Sequence, residues 1–127
     1  MKSIQDRTGS AKFLNDHIVL VQMNEGTEVN REIALQGNKA IANAMPGDYG
    51  MIIDRQADYS LMPVEVFEVL NSISTLKAIA IVAHRQSTAE FIKFEKRMFK
   101  NSLELFVDIE SAEAWIEQTL SQQQYYN

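Results

Sequence analysis

The chain has 127 residues, 46% hydrophobic and 23% charged, which is typical of one globular domain and excludes a disordered chain, a collagen-like repeat and a multi-domain enzyme. Seventeen acidic residues against twelve basic ones give a net charge of −5, which disfavours a general nucleic-acid-binding protein because such proteins need a basic surface. There is no cysteine, which excludes disulfides, thiol catalysis and cysteine-based zinc sites and fits a reducing compartment.

No stretch of the sequence is apolar for as long as a membrane span requires. The first six residues also lack the apolar core of a signal peptide. We therefore expect a cytoplasmic protein.

Turn-forming residues divide the start of the chain into short strands. Turn signals at 9–10 and 15–16 separate the segments 4–8, 11–14 and 17–23. The three segments predict an antiparallel meander.

A helix follows, with Thr27 as its predicted N-cap and Pro46-Gly47 at its end. The apolar run 50–54 predicts a strand. The next segment, 63–76, alternates like a strand at its start but fills one continuous half of a helical wheel. Because Pro63 suits a first helical turn, this segment is predicted to be a helix.

The last part of the chain alternates strands and helices. Segment 78–83 is apolar on both faces, as a central strand is. The remaining predicted elements are a helix over 88–101 with a capping box at its start, a strand over 103–107, and a helix over 109–120 capped by Asp108.

This order predicts an α/β fold with a mixed, open β-sheet and about four helices. Residues 1–120 form the single predicted domain, and 121–127 form a polar C-terminal tail for which fraying is the expected state.

Ligands of open α/β sheets bind beyond the carboxyl ends of the parallel strands. Asp54-Arg55, the segment 84–87 and Asp108 are predicted to meet there. His84, Arg85 and Ser87 form a candidate anion site, since they lie where a central strand meets a helix N-terminus. The alternative is structural: Arg85 pairs with Asp54 or Asp108, and His84 is an ordinary loop residue.

The residue types needed for metal binding or nucleophilic catalysis are sparse. The two histidines, His17 and His84, are far apart in the chain, and no Gly-x-Ser-x-Gly motif is present. We therefore predict no metal site, no cofactor, no catalytic residue and no enzymatic activity. A hydrolase using His84 is the alternative that the residues leave open.

The helix predicted over 88–101 has two contrasting faces. Its apolar arc consists of Phe91, Ile92, Phe94, Met98 and Phe99, and its basic side of Lys93, Lys96, Arg97 and Lys100. This pattern is typical of a helix at a membrane surface, but also of a helix packed on a sheet with a solvated basic side.

Glu95 falls within the apolar arc of the same helix. Its carboxylate either reaches out to solvent, pairs with a buried cation, or sits in a pocket with a raised pKa. The sequence favours a partner or a pocket edge.

Ser60 lies in the loop that precedes the helix over 63–76. A phosphate there would face the positive end of that helix dipole, so Ser60 is a candidate regulatory residue. The alternative is a capping or loop serine.

The order of elements, with four segments in particular, resembles the SpoIIAA-like branch of the STAS superfamily, the fold of anti-sigma-factor antagonists. The resemblance covers about 16–120, and the segments that carry it are 49–54, the loop into 63–76, the strand 78–84 and the ending 107–116 with its acid-capped Ala-Trp-Ile helix.

Antagonists of that family carry an Asp-Ser-x-Gly phosphorylation motif. The comparable stretch here is Asp58-Tyr59-Ser60-Leu61, in which Tyr59 separates the acid from the serine and the glycine is missing. Ser60 is therefore the residue to which the resemblance would extend the phosphorylated role, by its position and without the rest of the motif. The branch without the motif is similar to lipid-carrier domains of the CRAL-TRIO type, which implies a small apolar ligand or membrane contact.

The leading hypothesis is a non-enzymatic module that binds a small apolar or lipid-like ligand, peripherally at the inner membrane surface. The predicted binding residues are an apolar wall of Phe91, Phe94, Met98 and Phe99 and a basic set of Lys93, Arg97 and Lys100. The alternative is a protein-interaction regulator of the antagonist type, using Ser60 and the helix over 63–76. An open sheet leaves edge strands that need covering, which predicts a homodimer.

Overall fold

The structure is a computed structural model that describes residues 2–57, 59–83 and 86–126; the side chains of 86–89 and 123–126 are outside the description. It has eight strands and four helices in these ranges. The strands are β1 (Ser3–Gln5), β2 (Gly9–Asn15), β3 (Ile18–Met23), β4 (Glu28–Val29), β5 (Tyr49–Asp54), β6 (Ser60–Leu61), β7 (Leu76–Val82) and β8 (Ser102–Phe106). The helices are α1 (Arg31–Ala44), α2 (Pro63–Ser72), α3 (Gln86–Met98) and α4 (Ile109–Tyr126).

Six strands form one mixed sheet in the order β1-β2-β3-β5-β7-β8. The first three strands pair antiparallel, and the pairs from β3 onward are parallel. The prediction of an α/β fold with four helices and a mixed sheet is confirmed, including the antiparallel meander at its start.

Helices cover the two faces of the sheet unequally. Helices α1, α2 and α3 pack on one face in a core that includes Ile41, Phe67, Ile79 and Phe99. Helix α4 packs on the other face, where Ile116 contacts a second core cluster that contains Ala78. Strand β7 is therefore enclosed on both sides, as its apolar run 78–82 predicts.

The predicted start of the first helix at Thr27 is wrong. The N-cap is Asn30, whose Oδ1 accepts a hydrogen bond of 3.0 Å from the backbone N–H of Ile33. Residues 28–29 form β4, which pairs with β6 and buries Val29. The Thr27 hydroxyl instead donates to the carbonyl oxygen of Thr8.

The other helices also differ from the predictions at their ends. Helix α2 ends at Ser72 rather than at 76, because the chain from Leu76 onward pairs in the sheet as β7, and α3 begins at Gln86 rather than at 88.

Two further differences come from contacts distant in sequence or from the lack of a helix breaker. Helix α3 ends at Met98, where Asn71 Nδ2 donates to the Met98 carbonyl and Asn71 Oδ1 accepts from the Lys100 N–H. Helix α4 continues past Leu120 to Tyr126, since the polar residues after Leu120 include neither glycine nor proline.

None of the described helices combines the length and the apolar character that a membrane crossing requires.

Candidate functional site

A mainly apolar cavity of about 130 Å³ lies between the sheet and the three helices that cover it. Strands β1, β2, β3 and β5 supply one wall, and α1 and α2 supply most of the other. Among its apolar lining residues are Ala11, Val21, Met51, Ile33, Ala34 and Phe67. An apolar cavity of about 150 Å³ is large enough to hold benzene, so this one has the size of a small-molecule site.

The cavity exists partly because small residues face it. Ala11 on β2 and Ala34 on α1 both line it, and both are buried. Gly37 also lines it, and a Cβ added there would meet no atom within 4 Å. The cavity could not be predicted from the sequence, because its lining brings together residues from many strands and helices that are distant in the chain.

One end of the cavity carries a buried ion pair. Arg55 Nη1 and Nη2 donate to the two carboxylate oxygens of Glu95, at 2.5 and 2.6 Å, in a bidentate arrangement. The Arg55 side chain is 10% exposed and that of Glu95 is 1% exposed. Both residues line the cavity. Of the three fates that the sequence left open for Glu95, the structure has the buried cation partner.

Tyr59 completes this polar end. Arg55 Nε donates to its hydroxyl oxygen at 3.3 Å, and its ring lines the cavity. Burial raises the pKa of the Tyr59 phenol, so at neutral pH the hydroxyl keeps its proton and can donate a hydrogen bond. Burial alone would lower the pKa of Arg55, but its hydrogen bonds and the charge of Glu95 outweigh that effect and raise it.

Strand alternation explains why Arg55 reaches the cavity while its neighbour does not. Successive residues of an extended chain point to opposite faces of a sheet. Arg55 lines the cavity, whereas buried Asp54 accepts a hydrogen bond from Gln22 Nε2 at 3.0 Å. Asp54 and Arg55 were both predicted to lie at a ligand site beyond the strand ends. Of the two, only Arg55 lines this cavity.

The residues predicted to form an apolar wall on α3 do not line the cavity. Phe99 is buried in the core, and Met98 is partly buried against it. Phe91 is 39% exposed and Phe94 is 53% exposed. Glu95 is the only described α3 residue in the lining, so the apolar wall comes from the sheet, α1 and α2.

The two exposed phenylalanines adjoin the ion pair. The rings of Phe91 and Phe94 are 6.3 Å apart, centroid to centroid. The guanidinium carbon of Arg55 lies 6.0 Å from the centroid of Phe91, within the range of a cation–π contact. Arg55 thus lines the cavity and also contacts Phe91 of this exposed aromatic pair.

The predicted basic residues Lys93, Arg97 and Lys100 are all exposed, as is Lys96. Lys96 Nζ lies 2.5 Å from Glu104 Oε1, and Lys93 Nζ lies 3.6 Å from Glu90 Oε1. Among the described side chains, no carboxylate forms an ion pair with Arg97 or Lys100.

The candidate anion site at His84, Arg85 and Ser87 lies outside the described residues, apart from the Ser87 backbone in α3. Ser60 is exposed in β6, and its N–H donates to the Thr27 carbonyl. It does not cap α2, whose N-cap position is Met62. His17 Nε2 lies 2.7 Å from Glu117 Oε1. The described residues contain no group of three or more His, Asp or Glu side chains that could hold a metal ion.

Compared with protein-family models, with curated proteins and with solved structures, the chain matches none of them.

Proposed function

We propose that this protein is a non-enzymatic binding module that takes a small apolar or lipid-like ligand into the cavity under α1 and α2. The observation that carries the proposal is the cavity itself: about 130 Å³, mainly apolar, and bordered by a buried ion pair. Well-packed interiors contain few voids larger than a water molecule. A mainly apolar pocket with a few polar groups at one end is the usual form of a small-molecule site.

The order of strands and helices also supports assignment to the SpoIIAA-like branch of the STAS superfamily. The strands and helices from β3 to α4, which the resemblance covers, alternate in the order on which it rests. The lipid-carrier similarity of the branch agrees with a cavity of this character.

Membrane-surface association through α3 is the second part of the proposal. Phe91 and Phe94 are exposed next to one another, and Arg97 and Lys100 are exposed on the same segment. Because the net charge of the whole chain is −5, attraction to an anionic surface would have to come from this local basic face.

A binding titration with ethylbenzene, followed by two-dimensional NMR, tests the cavity. We expect saturable shifts at residues of α1, β2 and β5. Ala34→Leu, which places a larger side chain in the cavity, should abolish them. The matched control is Gln36→Leu, an exposed position on the same helix, which should bind as wild type does. No saturable shift in the wild-type protein would remove the proposal.

Flotation with vesicles tests the surface. Wild-type protein should float with vesicles that contain anionic phospholipid at low salt, and much less with vesicles of phosphatidylcholine alone. Replacing Phe91 and Phe94 by serine should abolish flotation, whereas Lys39→Gln, an exposed lysine on α1, should not. Equal flotation of the double serine variant would show that α3 is not the contact.

The alternative function, a protein-interaction regulator, is favoured by a different surface. Ser60 is exposed just before α2, and Met62 and Val64 beside it are large, exposed and apolar. If this surface binds a partner, Val64→Lys should abolish the interaction and Ser60→Glu should change its affinity. A partner that binds both variants as it binds wild type would exclude this function.

A further inference from the structure

The polar end of the cavity has no net charge. Each Glu95 carboxylate oxygen accepts one short hydrogen bond from Arg55, and the two side chains neutralise one another. Of the other described lining residues, only Asp6 carries a charge, and it is exposed. The charged groups that line the cavity therefore sum to a small negative charge.

An anionic ligand would be disfavoured by this arrangement. A carboxylate at Arg55 would place a second negative charge beside Glu95, or it would displace Glu95 and leave a fully buried carboxylate without its partner. Removing one partner of a buried ion pair is strongly unfavourable. A cationic ligand would gain little attraction from Glu95, because Arg55 already neutralises the charge of that carboxylate.

Both Arg55 and the Tyr59 hydroxyl keep hydrogen-bond donors that no described residue uses. A guanidinium has five N–H groups, and Arg55 directs three of them to Glu95 and Tyr59. The Tyr59 hydroxyl accepts one of these, and no described residue accepts its own proton. A neutral acceptor on a ligand would satisfy such donors without adding charge.

The other unpartnered polar atom of the lining lies on α1. Asn38 Nδ2 donates to the Ala34 carbonyl at 2.8 Å, and Asn38 Oδ1 is buried with no partner among the described residues. This amide is uncharged as well. Both polar regions of the cavity therefore suit neutral groups.

We infer that the ligand of this cavity is an uncharged apolar molecule, with an enclosed part about the size of one six-membered ring, that carries a carbonyl-type oxygen as hydrogen-bond acceptor for Tyr59 and Arg55. This inference rests on the proposed function and specifies its ligand class. The size follows from the volume, since an apolar cavity of about 150 Å³ holds benzene.

Four probes that share one ring test the inference at pH 7: ethylbenzene, acetophenone, benzoate and benzylamine. Their dissociation constants would be measured by NMR titration on the full chain. Acetophenone should bind about tenfold more tightly than ethylbenzene, because its carbonyl gains one or two hydrogen bonds. Benzoate and benzylamine should bind more weakly than ethylbenzene.

Tyr59→Phe separates the hydrogen bond from the shape of the cavity. It should remove most of the preference for acetophenone over ethylbenzene, measured as the ratio of the two dissociation constants within that variant. Tyr49→Phe is the matched control, since it removes the hydroxyl of a buried tyrosine that does not line the cavity. All four affinities should be unchanged in that variant.

The outcomes distinguish this inference from the proposed function. Equal binding of ethylbenzene and acetophenone would overturn the inference and leave an apolar-ligand site. Tightest binding of benzoate would also overturn it, because Arg55 would then exchange Glu95 for the ligand. If none of the four probes binds, the proposed function fails as well. The ranking of probes on wild-type protein stands even if Tyr59→Phe does not fold.

Discussion

The chain offers two ion pairs of the same length at different depths. Arg55–Glu95 and Lys96–Glu104 each have an N···O distance of 2.5 Å. The side chains of the first pair are 10% and 1% exposed, and those of the second are 53% and 43% exposed. The same substitution at the two carboxylates therefore compares a buried bidentate pair with an exposed single contact of equal N···O distance.

We predict that Glu95→Gln lowers the free energy of unfolding by about 3–5 kcal/mol, because it leaves the buried Arg55 guanidinium without a counter-charge. Glu104→Gln should lower it by less than about 1 kcal/mol, as is usual for exposed pairs. A domain of this size is stable by about 5–15 kcal/mol, so the first change removes a large part of the total.

Urea unfolding at pH 7, followed by circular dichroism, measures both variants. The double variant Arg55→Met/Glu95→Met should be much closer to wild type than Glu95→Gln, since apolar side chains of similar volume carry no desolvation cost. The reasoning would be refuted if Glu95→Gln and Glu104→Gln destabilised the protein equally, or if the double variant were less stable than Glu95→Gln.

Three other substitutions have expected outcomes in the same unfolding assay. Gly50→Ala should lower the free energy of unfolding by about 1–3 kcal/mol, because a Cβ there would overlap Cγ2 of buried Ile116; Ile116→Val should not relieve this overlap, since it keeps that methyl group. Tyr49→Phe should leave stability unchanged or raise it by about 1 kcal/mol, because the buried Tyr49 hydroxyl has no hydrogen-bond partner among the described residues. Burial also raises the pKa of this phenol to about 12. Asp108→Ala should destabilise the protein at pH 7, and the difference from wild type should shrink as the pH falls below 4. The hydrogen bonds from Ser111 hold the pKa of Asp108 below its ordinary value of 3.8, so the stability from the ionised carboxylate is present above that value and lost as the pH falls through the folded-state pKa.

Each of these predictions has a result that contradicts it. A Gly50→Ala variant as stable as wild type would mean that α4 moves away from β5 at little cost. A clear loss of stability in Tyr49→Phe would mean that the hydroxyl has a partner such as ordered water. A pH-independent effect of Asp108→Ala would mean that the carboxylate charge contributes nothing to the cap.

Local patterns in the sequence predicted the main elements of the fold because those patterns have local causes. The apolar run 78–82 of β7 indicated burial on both faces of the sheet. The position of Asp108 before α4 indicated a helix cap, and Asp108 Oδ1 accepts a hydrogen bond from the Ser111 N–H at 2.7 Å. The predicted start of α1 was wrong because threonine and asparagine are both good N-cap residues, and the sequence offers Thr27 and Asn30. The choice between them depends on the pairing of β4 with β6, which is distant in sequence.

The candidate site was only partly predictable for the same reason. A carboxylate within the apolar arc of α3 pointed to Glu95, but its partner could not be identified from the sequence, since Arg55 is placed against α3 by packing across the sheet. The cavity depends on small residues such as Ala11 and Ala34 lining the same space, and no periodicity in the chain indicates that these two residues come together.

The pairing of the sheet changes from antiparallel to parallel at β3, so we expect its two parts to form at different rates. Strands β2 and β3 are joined through Asp16 and His17 alone, and a hairpin of this kind closes within about 1–10 μs. The parallel pairs of β3, β5, β7 and β8 must each wait for a crossover, and such non-local pairing is slow. Strands β2 and β3, which supply part of one wall of the cavity, are therefore expected to assemble early, and β5 and the helices that cover the cavity are expected to join later.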